Sequence, residues 1–249
     1  MITFFTIPHK FDGPAGARQR TAITSWLQLQ PQPTILLFGV DESVVRCAIE
    51  FEIAYSPIEC NVFGTPLVND AFWRAEAYTP SDIFVFVNPD IVLLQDFMDA
   101  VRWVERLVHS PFVMVGQRWD LELQEPLTPA EGWQQNLRQL VKSSGVLHQV
   151  QGIDYFAFRR GAWGEIPPFA VGRSRYDNWL VWSALQRGVP VIDATAATTA
   201  VHLNHDHAHI TSDVERLRND ELVRLSGGRL CSIADARFVL TSEYTLEAR

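Results

Sequence analysis

Asp90 is the residue whose position points most directly to chemistry. It follows the apolar run IFVFV and the short sequence Asn88-Pro89. In open α/β sheets, ligands bind beyond the carboxyl ends of the strands. A carboxylate placed there is suited to a hard divalent cation that shares its other positions with phosphate oxygens and water. Asn88 and Asp90 also favour an Asx-Pro turn, which is the simpler interpretation of this motif taken alone.

A second concentration of reactive side chains lies near the C-terminus, where four of the seven histidines fall in the run HLNHDHAH. If this run is extended, His205, His207 and His209 share one face and His202 points away from it. Imidazole is a common metal ligand and general base, so the cluster predicts that at least one member binds metal or phosphate. A zinc hydrolase built on these histidines stays open as an alternative, although the chain has neither HExxH nor a cysteine near the cluster.

Three further segments carry candidate polar groups. Asp177, in SRYDNWL, begins a predicted helix and is either a base for an acceptor hydroxyl or, more simply, a helix cap. Asp154 and Trp179 suit the hydroxyls and apolar faces of a sugar, although most of the eight tryptophans are expected in the core. Arg118 follows another predicted strand, where it faces phosphate or pairs with Asp120.

Composition limits the class of protein. The 249 residues are 47% hydrophobic, which is enough for a sizeable core. A net charge of -8 argues against neutralising the backbone of a long nucleic acid. The three cysteines are scattered without a CxxC pair, and no signal peptide or long apolar run is present. We therefore expect a reduced, cytoplasmic protein without a transmembrane segment.

Short apolar runs alternate with segments of helical period, which predicts an α/β sheet. The strands are predicted at residues 2–7, 34–39, 59–63, 82–87, 112–116, 155–158, 189–192 and 200–203. The helices are predicted at residues 16–29, 43–53, 67–78, 95–108, 133–142, 177–187 and 212–225. Residues 119–132 are interpreted as a loop, and the tail after 225 has little pattern. With no repeat or linker, residues 1–249 are interpreted as one domain.

Taken together, the segments FVFVNPDIVLL, GIDYFAFRRGAW, IPPFAVGRSRYDNWL and VHLNHDHAH resemble GT-A, family-2-like glycosyltransferases of a bacterial and plant group that carries NxD in place of DxD. The resemblance covers residues 2–210. It implies a nucleotide-diphospho-sugar transferase fold, with a central, mostly parallel sheet flanked by helices. It further implies a nucleotide-sugar half (1–117), an acceptor and catalytic half (118–210) and a C-terminal helical tail (211–249).

The resemblance also assigns roles to the metal and catalytic candidates. Asp90 matches the second acid of DxD, a ligand of Mn²⁺ or Mg²⁺ and of the diphosphate, and Asn88 stands in place of the first acid. His205 is the first choice for a further metal ligand and His202 the second. Asp177 matches the catalytic base of inverting members, although Tyr176 precedes it where an acid is usual.

The implied substrates follow the same pattern. Residues expected to bind the donor are Thr6, Pro8, Asp41, Arg74, Asn88 and Asp90, and those expected to bind the acceptor are Asp154, Arg118 and Trp179. The implied reaction moves a sugar from a nucleotide-diphosphate donor, with UDP favoured over GDP or dTDP, to a hydroxyl of a glycan, lipid-linked or small-molecule acceptor. A sugar-1-phosphate nucleotidyltransferase is an alternative, but IPHKFDGPAGAR poorly matches the Gly-rich basic loop it needs.

Overall fold

The structure is a computed structural model that describes residues 1–122, 130–173, 175–204 and 213–249. In chain order its strands are β1 (Ile2–Thr6), β2 (Thr34–Phe38), β3 (Ala54–Ser56), β4 (Ile83–Val87), β5 (Ile91–Leu93), β6 (Val113–Val115), β7 (Trp119–Leu121), β8 (Val146–Leu147), β9 (Tyr155–Arg159), β10 (Val191–Asp193), β11 (Ala200–Leu203), β12 (Phe238–Leu240) and β13 (Leu246–Ala248). Its α-helices are α1 (Gly13–Leu27), α2 (Glu42–Glu50), α3 (Val68–Tyr78), α4 (Gln95–Leu107), α5 (Trp133–Ser144), α6 (Tyr176–Gln186) and α7 (Asp213–Leu225).

A large mixed sheet forms the centre of the fold, with strand order β13-β12-β10-β6-β9-β4-β1-β2-β3. Strands β4, β1, β2 and β3 run parallel to one another, and so do β6, β10 and β12. Strand β9 lies antiparallel between β4 and β6, and β13 is antiparallel to β12. The carboxyl ends of β1 and β4 therefore meet at one edge, where a ligand is expected.

Both faces of this sheet are covered, which explains why its central strands are apolar throughout. In β1, Phe4 packs with Trp26 of α1 and Phe97 of α4 on one face. The next residue, Phe5, packs with Phe72 of α3 on the other face. Because side chains alternate along a strand, the uninterrupted run of phenylalanines serves two separate hydrophobic cores.

A second, smaller sheet lies beside the first and has the order β5-β11-β7-β8. Strand β11 pairs antiparallel with β5, so that His202 is opposite Ile91. It pairs parallel with β7, where His202 is opposite Asp120. Strand β7 in turn pairs antiparallel with β8, with Asp120 opposite Val146. This sheet brings together polar residues that are distant in sequence.

The α/β class with a large, mostly parallel sheet is confirmed. The predicted strand at 59–63 is wrong, because the chain instead forms β3 three residues before it, and Cys60 makes only an isolated bridge to Pro66. The interpretation of residues 119–132 as a loop is wrong at its start, where β7 joins the second sheet. Strands β5, β8, β12 and β13 were not predicted, since each is too short to show periodicity.

Helix boundaries agree with the predictions to within a few residues, and their differences have local causes. Helix α1 begins at Gly13 rather than residue 16, with Pro14 in its first turn, a position that tolerates a missing N–H group. Helix α2 is capped by Asp41, whose carboxylate accepts from the backbone N–H of Ser43. The predicted cap of α7, Ser212, lies outside the described residues. Among the described residues, no helix has the length and apolar character needed to cross a membrane.

Candidate active site

A cleft of about 400 Å³ opens where β1 and β4 end. Its lining includes six of the residues singled out in the sequence, namely Pro8, Asn88, Asp90, Arg118, Asp154 and His202. A neighbouring cavity of about 350 Å³ shares His9, Pro89 and Asp90 with it and is otherwise lined by residues of the β1–α1 connection and of α1. Asp90 thus lines both cavities at the edge of the sheet where a ligand is expected.

Asp90 and His202 form the central pair of this cleft. Oδ2 of Asp90 lies 3.3 Å from Nε2 of His202. The pair is positioned by the second sheet, because Asp90 directly precedes β5 and Ile91 is the register partner of His202. His202 is buried, with 4% of its surface exposed, and Asp90 is half-buried. A carboxylate and an imidazole are therefore held side by side at the edge of a cleft.

Asp120 lies on the other side of His202 and extends this pair into a row. Its Oδ1 is 3.4 Å from Nδ1 of His202, and its Oδ2 is 2.6 Å from Nδ1 of His148. His148 comes directly after β8, so each of the four strands of the second sheet contributes one member of the row. Burial alone would raise the pKa of Asp120, but hydrogen bonds from Arg118 and His148 outweigh it and hold that pKa below its usual value.

Arg118 connects the row to a second group of polar side chains in the cleft. Its Nε donates to Oδ1 of Asp120 at 2.8 Å and its NH1 donates to Oδ2 of Asp154 at 2.6 Å. The other oxygen of Asp154 accepts from Nδ2 of Asn88 at 2.8 Å. Burial alone would lower the pKa of the Arg118 guanidinium, but the carboxylates of Asp154 and Asp120 outweigh this effect and raise that pKa above its usual value. Removing one partner of a buried ion pair typically destabilises a protein by about 3–5 kcal/mol. We therefore expect these side chains to hold their positions in the wall of the cleft.

Asp177 lies in the first turn of α6, one residue after Tyr176, which lines the cleft. Burial raises the pKa of its carboxyl group to about 6. The backbone N–H of Asn178 lowers it, and the negative charge of Asp154 raises it again. The N-cap residue of the helix is Arg175, whose φ of 95° is unusual for a non-glycine residue. Asp177 is therefore half-buried beside a residue that lines the cleft, and its carboxyl group holds a proton more strongly than that of an exposed aspartate.

The donor set of the cleft fits a divalent cation. Carboxylate oxygen and imidazole nitrogen are ligands that Mn²⁺ accepts, and Asp90 and His202 present one of each. Among the described residues, no group of three or more His, Cys, Asp or Glu side chains is arranged to hold a metal ion. An incomplete protein site agrees with a cation that takes its remaining ligands from phosphate and water. His205, His207 and His209 lie outside the described residues.

The predicted donor-binding residues are only partly brought together. Pro8, Asn88 and Asp90 line the cleft. Thr6 lies just beneath it at the end of β1, and its buried Oγ1 has no hydrogen-bond partner among the described residues. Asp41 caps α2 and pairs with Lys10 of the β1–α1 connection, at 3.4 Å between Oδ2 and Nζ, and does not line the cleft.

Arg74 and Trp179 are placed elsewhere. Nε of Arg74 is 2.6 Å from Oδ2 of Asp70, one turn earlier in α3, and the pair does not border the cleft. Trp179 is buried in the core, where its Nε1 donates to Oγ of Ser226 at 2.8 Å and its ring packs against Phe169. The structure thus gives both residues structural partners.

Sequence reasoning overlooked several residues of the cleft. Gly64, Thr65 and Pro66 form one wall, from a turn that directly follows the residues predicted as a strand. Arg173 lines another side and pairs with Glu215 of α7, at 2.8 Å between NH2 and Oε2. Asp120 had been considered only as a partner of Arg118. Its signal was the WDL sequence of a short strand, which is too brief to reveal a pairing with His202.

No protein-family model matches the sequence, and no curated protein matches it. The fold is similar to that of glucosyl-3-phosphoglycerate synthase from Mycobacterium tuberculosis, solved with Mn²⁺, uridine-diphosphate and phosphoglyceric acid. The TM-score is 0.50 and the identity 19%, over 100% of this chain and 86% of that chain.

Two further solved structures are similar. Mannosyltransferase PcManGT from Pyrobaculum calidifontis, solved with GDP-Man and Mn²⁺, has a TM-score of 0.52 at 12% identity, over 92% of this chain and 65% of that one. TarS from S. aureus, solved with UDP-GlcNAc, has a TM-score of 0.52 at 13% identity, over 90% of this chain and 66% of that one. The chain thus spans slightly less than two thirds of these two proteins. The likeness shows the GT-A glycosyltransferase fold.

Proposed function

We propose that this protein is a metal-dependent glycosyltransferase that moves a sugar from a nucleotide-diphosphate donor to a hydroxyl acceptor. The observation that carries the proposal is the Asp90–His202 pair, 3.3 Å apart at the ligand-binding edge of a GT-A fold. The three similar structures were solved with nucleoside diphosphates or nucleotide sugars, and two of them with Mn²⁺. UDP-sugars are the first donors to test, followed by GDP- and dTDP-sugars.

Asp90 and His202 are the residues that would hold Mn²⁺ or Mg²⁺. A cation bound there supplies positive charge to the diphosphate as it departs from the sugar. His205 stays a further candidate ligand from the sequence. Because the described residues offer one carboxylate and one imidazole, we propose that the cation binds tightly only together with the diphosphate.

The reaction we propose is a single displacement with inversion. A bond forms between the acceptor oxygen and the anomeric carbon while the bond from that carbon to the diphosphate oxygen breaks. Asp177 takes the proton of the acceptor hydroxyl. A carboxylate with a pKa of about 6 is ionised at neutral pH yet holds a proton more strongly than an exposed aspartate, which suits a general base.

The walls of the cleft supply binding groups for both substrates. Pro8, which lines the cleft, is proposed to contact the nucleoside, whereas Thr6 and Asp41, which do not line it, are proposed as nucleoside contacts from the sequence alone. Arg118 and Asp154 are proposed to orient sugar or acceptor hydroxyls. Since these two side chains already bind each other at 2.6 Å, they need little reorganisation to receive a polar ligand.

A thermal-shift screen tests this function directly. The purified protein is heated with UDP-, GDP- and dTDP-sugars, each with Mn²⁺ and with EDTA. A ligand at 100 times its dissociation constant stabilises a protein by about 2.7 kcal/mol. We expect one nucleotide to raise the melting temperature only when Mn²⁺ is present. If no nucleotide does so and tightly bound zinc is found on purification, the proposal is wrong and a hydrolase is favoured.

A further inference from the structure

We propose that Asp120 is a positioning residue that fixes the orientation and protonation of His202 so that its Nε2 lone pair faces the cation. This inference rests on the proposed function, since it concerns the same metal site. It concerns a residue that is not itself part of the cleft lining and that acts through His202, which is.

The first support is the strand register. Asp120 of β7 and His202 of β11 are direct partners in a parallel ladder. Facing residues in neighbouring strands project to the same side of the sheet, so the backbone itself places the carboxylate beside the imidazole. A shift of the register by one residue would turn one of the two side chains to the opposite face. The contact is therefore fixed by the sheet rather than by a flexible loop.

The second support is which nitrogen faces which carboxylate. Nδ1 of His202 is 3.4 Å from Oδ1 of Asp120, whereas Nε2 is 3.3 Å from Oδ2 of Asp90. The contact at Nδ1 is slightly longer than an ordinary hydrogen bond. Each ring nitrogen thus faces a carboxylate, and a cation bound by both Asp90 and Nε2 would leave the imidazole proton on Nδ1, beside Asp120. Carboxylates that orient metal-binding histidines in this way raise metal affinity by about 10- to 100-fold.

The third support is that Asp120 is itself held in place. Nε of Arg118 donates to Oδ1 at 2.8 Å, and Nδ1 of His148 lies 2.6 Å from Oδ2. Arg118 keeps the carboxylate charged, and His148 restricts its rotation from the far side. Gly152 leaves room for this arrangement, because a Cβ atom there would come within 2.6 Å of the His148 ring. The position of the Asp120 carboxylate beside the His202 ring is thus restrained from two sides.

Nitrogen-15 NMR of the histidine side chains tests the inference without metal or substrate. Because Asp90 faces Nε2 at 3.3 Å, the test uses the Asp90→Ala background, in which this competing carboxylate is removed. At pH 8 we expect Nδ1 of His202 to carry the proton in Asp90→Ala and to lose it when Asp120→Asn is added, because a neutral amide oxygen already bonded to Arg118 is a weaker acceptor. Finding Nδ1 unprotonated in Asp90→Ala, or equally protonated in both variants, would overturn the role of Asp120.

Binding of Mn²⁺, followed by the electron paramagnetic resonance of the free ion, gives the second readout. Asp120→Asn should weaken binding by about tenfold or more. The matched control is Asp193→Asn, the same substitution at a buried carboxylate that pairs with Arg249 in the large sheet, away from the cleft. It should change the affinity less than about twofold.

The possible failures are distinguishable. If Asp120→Asn binds Mn²⁺ as tightly as the control does, only the role of Asp120 is overturned. If the wild type does not bind Mn²⁺ even with UDP or GDP present, the metal site fails, and the proposed function and this inference fail with it.

Discussion

His202 and Asp90 lie 3.3 Å apart although the backbone brings them from opposite halves of the chain. They meet because β11, which carries His202, pairs antiparallel with β5, which directly follows Asp90. Two sheets are therefore needed for one site: β4 of the large sheet delivers Asp90 to the cleft, and β11 of the small sheet delivers the imidazole. This relationship leads directly to the first prediction.

Replacing Asp90 by alanine should abolish both turnover and metal-dependent binding of the donor. His202 alone leaves a single neutral ligand for the cation, which is too weak for a hard divalent ion. The measurement is the thermal shift given by the active nucleotide with Mn²⁺ and with EDTA, alongside Asp193→Asn as a control. An Asp90→Ala variant whose shift still depends on Mn²⁺ would remove Asp90 from the metal site.

Replacing Asp177 by asparagine should preserve donor binding but abolish transfer. The amide cannot accept the proton of the acceptor hydroxyl, a contribution typically worth about 10²- to 10⁴-fold in rate. The two quantities are measured separately, as the Mn²⁺-dependent thermal shift and as the rate of nucleoside diphosphate release with acceptor present. Retained transfer would reduce Asp177 to a residue that only stabilises the start of α6.

The transfer rate should fall as the pH is lowered through about 6, where Asp177 takes up its proton. Below that pH the rate should decrease about tenfold per pH unit, as expected when one deprotonated base is required. The measurement is kcat/KM between pH 5 and 8, with the Mn²⁺-dependent thermal shift at each pH as a check that binding persists. A rate independent of pH over this range would contradict a base with this pKa.

Asp177 should also make the folded protein less stable at neutral pH. Its pKa is about 6 in the folded state against 3.8 for an unperturbed aspartate, so between these two pH values the folded state binds a proton that the unfolded state does not. The free energy of unfolding should therefore decrease as the pH rises from about 4 to 6. At pH 8, Asp177→Asn should increase the free energy of unfolding by up to about 3 kcal/mol and thereby raise the melting temperature. At pH 4 it should change both quantities little. A variant that is less stable than the wild type at pH 8 would contradict the burial cost.

Gly116 is predicted to be intolerant of a side chain, and the cause can be tested. A Cβ atom there would lie 2.1 Å from the hydroxyl of Tyr155, which is fully buried and bonded to Thr198. Gly116→Ala should cost about 1–3 kcal/mol through overpacking. Adding Tyr155→Phe removes the clashing oxygen and should restore part of the loss, measured by urea unfolding of both single variants and the double variant. Simple additivity of the two costs would place the clash elsewhere.

The extent to which the sequence predicts this fold depends on element length. Strand β4 is an uninterrupted apolar, β-branched and aromatic run and helix α4 is long enough to show its period, and both were predicted to within one residue. The predicted strand at 59–63 failed because apolar residues next to Gly64 and Pro66 belong to a turn, and local composition does not separate the two. The three-residue strands β5 and β7 carry too few side chains to reveal a pattern, and they are the strands that build the second sheet.

The same reason limits the prediction of the site. Asp90 was identified because it follows the most apolar strand, a local signal. Asp154 and Arg118 were named separately, but nothing in the sequence indicates that they bind each other at 2.6 Å. Asp120 was treated as a partner of Arg118 alone, because its contact with His202 depends on the register of strands that are remote in sequence. The sequence indicates which residue types are present near the ends of strands, whereas the contacts between them depend on how the strands pair in the sheet.

The small sheet also has a consequence for how the protein reaches its native state. Its four strands come from chain positions that are far apart, and β11 is central among them although it is late in the sequence. Contacts that close such long loops form slowly, because the entropy of the intervening chain must be lost first. We therefore expect the ability to take up Mn²⁺ to appear among the last events of refolding, after the helices and the early strands have formed. The rate at which Mn²⁺ binding appears during refolding would then report the rate of the last folding step.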